Sequence, residues 1–218
     1  MNPPSTNSSP APADPNAESF LPQAVIFGPY CTIMRKLRPD DADRLVEFFH
    51  SHTEETVRSR YGYLLAQMSP ERAAELTGVD QSKDAALGVF EMEGDSPKLI
   101  AIGRYCAGSN RDAAELAFVV HEAYRNLGIA TKLLEALAAI ARERCLHTLT
   151  AQVHGDNGPM LAVFHKAGAV LSDIPGSDAE SVTLPVTDLL LERLHACRPK
   201  RAPAARECKL PTLPRWTM

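Results

Sequence analysis

Apolar residues recur along this chain in two rhythms, and the changeover between them orders the reading. Residues 30–38 (YCTIMRKLR) read as a first strand. Pro39-Asp40-Asp41 then opens a helix, with acids in the first turn where they face the positive end of the helix dipole. Leu45, Phe48 and Phe49 give the i, i+3, i+4 stripe of a buried face. A second helix is predicted over 54–67, with Val57, Tyr61, Leu64, Leu65 and Met68 on one side. Ser69-Pro70-Glu71 combines an N-cap with proline at the first helical position and starts a third helix, ending at about Leu76.

From residue 85 the period shortens to two. Residues 85–92 and 98–106 are strand-like around a turn at Glu93-Gly94-Asp95-Ser96. In the next strand, 113–121, Leu116, Phe118 and Val120 share one face, and Glu115, Ala117, Val119 and His121 the other. A long helix from Gly128 to Arg144 turns Leu133, Leu134, Leu137, Ile140 and Ala141 inward. Residues 147–153 alternate again, and a short helix from Pro159 to Ala167 stops at Gly168. Residues 169–172 and 181–187 complete the strands, the second assigned to an edge because Pro185 has no N–H to donate. The order describes an α/β protein, a mixed sheet with a long helix after its central strand.

Composition changes this picture only at the ends. Pro3, Pro4, Pro10, Pro12, Pro15 and Pro22 crowd the start among Ser, Asn and Ala, too little apolar area to offset ordering. Residues 1–29 are therefore read as a disordered leader, 30–195 as the folded domain and 196–218 as a basic, Pro-containing tail. The formal net charge of -4 hides a basic end, Arg198, Lys200, Arg201, Arg206, Lys209 and Arg215 against Glu207. The rest is strongly acidic, which argues against general nucleic-acid binding. No apolar stretch reaches the roughly 18 residues of a membrane span, and the first residues carry no targeting pattern. The 5 Cys form no CxxC pair and are read as reduced thiols of a cytoplasmic protein, Cys106 and Cys145 as small core residues. Nor do the 7 His show the spacing of a metal site.

Candidate chemistry gathers where the strand 113–121 runs through Arg125-Asn126-Leu127-Gly128-Ile129-Ala130-Thr131 into the long helix. The first turn of a helix has unpaired N–H groups and a partial positive charge, so it is suited to an anion. Gly128 and Ala130 let a ligand approach the backbone, Arg125 adds a charge and Thr131 a hydroxyl; a pyrophosphate fits such a site. The pattern is neither a GxGxxG fingerprint nor a P-loop.

Arg-x-x-Gly-x-Ala at 125–130, Asn157-x-x-Met160 and the later Gly168 together resemble the GNAT family of acetyl-CoA-dependent N-acetyltransferases. The resemblance spans roughly 31–187. Within the family, Leu37 through Ala42, Ser51, Thr53, Thr56, Arg60 and Glu115 are similar to bacterial protein lysine acetyltransferases. It implies a mixed, mostly antiparallel twisted sheet flanked by helices, with a strand splayed near Val119–His121. It implies acetyl-CoA bound by Phe118, Val119, Val120, the loop 125–131 (Arg125, Asn126, Leu127, Gly128, Ile129, Ala130, Thr131) and Asn157. Glu115 takes the place of the general base, and Phe164 stands where many members carry a proton-donating Tyr; Tyr124 and His165 are nearby in sequence. The implied acceptor is a protein lysine; a small amine and a non-catalytic acetyl-CoA sensor are the other readings.

Overall fold

The computed structural model describes residues 22–61, 67–92, 96–108 and 112–196. Eight strands form one sheet: β1 (Gln23–Phe27), β2 (Tyr30–Lys36), β3 (Ala85–Glu91), β4 (Lys98–Ala107), β5 (Ala113–Val120), β6 (Thr148–His154), β7 (Val170–Asp173) and β8 (Ala179–Pro185). Among the described residues six α-helices flank them: α1 (Ala42–His50), α2 (Glu54–Tyr61), α3 (Pro70–Thr77), α4 (Ile129–Glu143), α5 (Gly158–Ala167) and α6 (Asp188–Ala196). The strand order is β1-β2-β3-β4-β5-β6-β8-β7, with β5 and β6 parallel and every other neighbouring pair antiparallel.

Two cores divide the faces of the sheet. Leu133, Leu134, Leu137 and Ile140 of α4 pack with Leu87, Ile100, Leu116 and Leu149. On the opposite face Leu45, Phe48 and Phe49 of α1 join Phe90, Leu99 and Ile102. The alternation read along 113–121 decides which core each β5 residue serves. Ser69 caps α3 as its sequence predicts, its Oγ accepting from Arg72 N at 3.2 Å.

Three elements and two cysteines depart from the sequence reading. Gln23–Phe27, inside the range assigned to the leader, pairs with β2 as β1 through a turn in which Gly28 has φ +56°. α6 was missed; Leu190 and Leu194 are buried, Leu191 packs partly against the core, and Leu189 is exposed among the polar residues. β8 is not an edge strand, because β7 pairs outside it from Val170↔Thr183 to Asp173↔Glu180. Pro185 lies past the end of β7, where no partner on that side asks for its N–H. Finally, Cys31 is disulfide-bonded, and the free Cys145 is exposed at φ +57° after α4 rather than packed in the core. Among the described residues no helix is long and apolar enough to cross a membrane.

Candidate active site

β5 and β6 pair at only three positions, Ala113↔Thr148, Ala114↔Leu149 and Glu115↔Thr150. Beyond Glu115 the strands diverge, so Leu116–Val120 keep β4 on one side and lose their neighbour on the other. The opening starts earlier than the Val119–His121 position read from the sequence. An open strand edge carries unpaired N–H and C=O groups, which an extended ligand can pair as a neighbouring strand would.

A cleft of about 350 Å³ opens from this gap. Phe118 and Val120 of β5 form one wall, Asn157, Pro159, Met160 and Val163 at the start of α5 the other, and 128–131 the floor. Gly128 has φ +84° and sits at the N-cap of α4. Only glycine takes that backbone without strain, and the turn brings residues 128–131 to the cleft. The first helical bond is Lys132 N to Gly128 O at 3.0 Å, so the amides of Ile129, Ala130 and Thr131 precede the hydrogen-bonded ladder. Across the gap, Asn157 Nδ2 is buried with no hydrogen-bond partner among the described residues. A buried amide left unpaired costs about 1–3 kcal/mol, and a ligand acceptor removes that cost.

Of the residues expected to bind a cofactor, Phe118, Val120, Arg125, Asn126, Gly128, Ile129, Ala130, Thr131 and Asn157 line this cleft. Val119 and Leu127 do not. Strand alternation turns Val119 to the opposite face, and Leu127 lies against the Gly28 turn. Tyr124, Asp156, Pro159, Met160 and Val163 also line the cleft and were not assigned to it. Pro159 and Val163 were detectable as the inward stripe of α5 that contains Met160.

The candidate proton-handling groups separate clearly. Phe164 is fully buried, edge-on to Phe118 with centroids 6.3 Å apart, and offers no proton. Tyr124 reaches the cleft, but its hydroxyl donates to Glu91 Oε2 at 2.6 Å. His165 is exposed on α5 and absent from the cleft lining. His121 caps the turn Glu122–Tyr124, Nδ1 accepting from Ala123 N at 3.2 Å.

Glu115 faces the other way, into a cavity of about 450 Å³ between the sheet and helices α1 and α3. Leu37, Leu45, Leu76, Ile102 and Val119 make it largely apolar; Arg72, Arg104, Cys106 and Glu115 supply its polar groups. Phe118 borders both spaces, so the cleft and the cavity meet across β5.

A hydrogen-bonded knot joins the two sides. Glu122 Oε1 accepts from Thr53 N at 3.1 Å and from Thr53 Oγ1 at 3.0 Å, and His52 Nδ1 lies 3.1 Å from Oε2. Partial burial raises the Glu122 carboxyl, but bonds from Thr56, its own backbone, Thr53 and His52 outweigh this and hold it well below the ordinary range. Burial in turn lowers His52, against the pull of Glu122.

Residues 32–170 match the model of the acetyltransferase (GNAT) domain. Among solved structures, the GNAT domain of S. lividans PAT superposes with TM-score 0.66 at 26% identity, over 75% of this chain and 96% of that one. yncA from Salmonella typhimurium, solved with its cofactor acetyl-CoA, gives TM-score 0.57 at 16% identity over 72% of this chain and 95% of that one. A cAMP-binding acyltransferase from Mycobacterium smegmatis gives TM-score 0.53 at 20% identity. It covers 80% of this chain and 54% of its own length, so the present chain spans about half of that protein. With the family model matched over most of the sequence, and the split strand pair in place, the chain belongs to the GNAT family of acetyltransferases.

Proposed function

We propose that this protein transfers the acetyl group of acetyl-CoA to the side-chain amine of a protein lysine, with Glu115 as general base. The observation that carries the reading is the division of labour across β5. An open strand edge and an unpaired Asn157 amide face one side, and an uncommitted carboxylate faces an apolar cavity on the other.

The residues present suit the donor. The amides at the start of α4, with Arg125 beside them, hold a diphosphate. The freed groups of β5 and Asn157 Nδ2 pair the amide-rich arm. Acetyl-CoA supplies an acetyl group activated as a thioester. Backbone N–H groups at the end of the split polarise its carbonyl, a contact typically worth about 3–4 kcal/mol. Glu115 accepts the proton that the acceptor amine loses on attack, directly or through one water; as the C–N bond forms the C–S bond breaks, and CoA leaves as its thiolate and takes a proton from solvent, since Phe164 has none to give. The cavity brings the amine to β5 from the face opposite the donor, so neither substrate displaces the other.

Lysine is favoured over other amines by the similarity to PAT and by the segment from Leu37 through Thr56, whose residues Thr53 and Thr56 build the knot beside the cleft. The test is acetylation of cell-extract proteins by labelled acetyl-CoA, read by mass spectrometry, for wild type and Glu115→Gln. Label on lysine side chains, with turnover about 100-fold or more lower in the variant at similar acetyl-CoA affinity, is the expected result. Equal turnover removes Glu115 from the mechanism. Label on small amines alone excludes protein lysine, and tight binding without turnover leaves a sensor.

A further inference from the structure

Arg104 is a half-buried cation in the cavity that Glu115 faces. Its one hydrogen-bond partner among the described residues is Cys106 Sγ, 2.8 Å from Nη2. A guanidinium carries five N–H donors in a planar fork, so most of this one is uncommitted. Register places Cys106 opposite Glu115 and Arg104 opposite Ala117, so Arg104 and Glu115 are diagonal neighbours on one face of the sheet. Diagonal positions lie about 7–8 Å apart, within reach of an Arg and a Glu. The two nevertheless make no ion pair in this structure. The other cation of the cavity, Arg72, is paired with Glu75 at 2.8 Å on the exposed side of α3. A carboxylate and a guanidinium are thus diagonal neighbours on one face of the sheet without pairing, Glu115 exposed and Arg104 half-buried at the edge of a cavity with largely apolar walls, an arrangement that suits a ligand carrying both opposite charges.

We infer that the acceptor carries an anionic group close to its reacting amine: the amine meets Glu115 and the anion meets the fork of Arg104. The inference rests on the reading of this cavity as the acceptor site. For a protein acceptor, the anion is an Asp or Glu side chain near the modified lysine. For a small acceptor, it is the carboxylate of an amino acid. A planar fork suits a carboxylate, which it can hold with two parallel bonds.

The test compares two acceptor pairs on the full-length protein with acetyl-CoA. One pair is a lysine peptide flanked on both sides by Asp and its Asn counterpart. The other is a free α-amino acid and its carboxamide. Wild type is expected to favour the carboxylate-bearing member of at least one pair by about tenfold in kcat/KM. In Arg104→Gln the ratio falls to near one, and Arg104→Lys recovers part of it; the wild-type ratio alone decides the matter if the variants do not fold. A ratio near one in wild type for both pairs overturns the inference, as does a ratio that Arg104→Gln leaves intact. Turnover of peptides without preference overturns it while keeping lysine as acceptor. Turnover and preference on amino acids alone keep it while removing lysine. No turnover on any of the four acceptors overturns both.

Discussion

Arg125 donates from Nη2 to the hydroxyl of Thr56, 2.9 Å away and 69 residues earlier in the chain. The charge beside the anion loop is therefore aimed by a buried residue of α2. Arg125 itself is exposed, and an unpinned arginine loses rotamer freedom each time it holds a phosphate. Thr56→Val removes the acceptor at nearly constant volume. It is expected to weaken acetyl-CoA binding about 3–10-fold by calorimetry, with Thr56→Ser close to wild type. Acetyl-pantetheine, which lacks the diphosphate, is expected to bind both variants like wild type. Unchanged acetyl-CoA affinity in Thr56→Val contradicts this role for the bond.

Asn157 gives the opposite signature from an ordinary buried amide. Its Nδ2 has no partner among the described residues, so Asn157→Ala breaks no bond seen there from that atom. The ligand-free melting temperature should change little, while the rise produced by saturating acetyl-CoA shrinks. A large fall in the ligand-free value with an undiminished acetyl-CoA shift assigns Asn157 to the fold alone.

Acid should loosen the knot around Glu122. Its pKa is depressed in the fold, so its contribution is fully present above the ordinary value of 4.5 and fades as pH falls toward the folded value. His52 is depressed as well, so below its ordinary 6.5 the unfolded chain takes up that proton first and stability starts to fall there. Glu122→Gln should therefore melt below wild type at neutral pH, with the gap narrowing below about pH 4.5. A gap that widens on acidification contradicts the assignment.

Gly128 combines two demands, a left-handed backbone and a ligand at contact distance. Gly128→Ala is expected to cost about 1–2 kcal/mol in denaturant unfolding. A bulkier Gly128→Val should also abolish acetyl-CoA binding in protein that still folds. Normal affinity in folded Gly128→Val means the loop does not hold the diphosphate.

The face of each β5 residue was legible because strand alternation is strict; it sent Phe118 and Val120 to the cleft and Glu115 to the cavity. It also turns the Val119 side chain away from the cleft, since one strand cannot point adjacent side chains the same way, and leaves Val119 its backbone groups on the open edge. The anion loop was legible because Gly128 and Ala130 stand at a strand-to-helix junction. Other features depend on residues far apart in sequence and leave no local signal. Thr56 meets Arg125 only because the fold brings α2 to the loop after β5, and Arg104 comes diagonal to Glu115 only through the β4–β5 register. β1 was lost because Gln23–Phe27 adjoins a proline-rich stretch, and α6 because two buried leucines make too narrow a stripe.

The account stands on the gap beyond Glu115 receiving acetyl-CoA along β5. Amide hydrogen exchange with and without saturating acetyl-CoA reads this directly. Protection is expected at Leu116–Val120 and at 128–131, with the fully paired β2 and β3 unchanged. Equal exchange at those amides in both states, under conditions where acetyl-CoA is shown to bind, contradicts it.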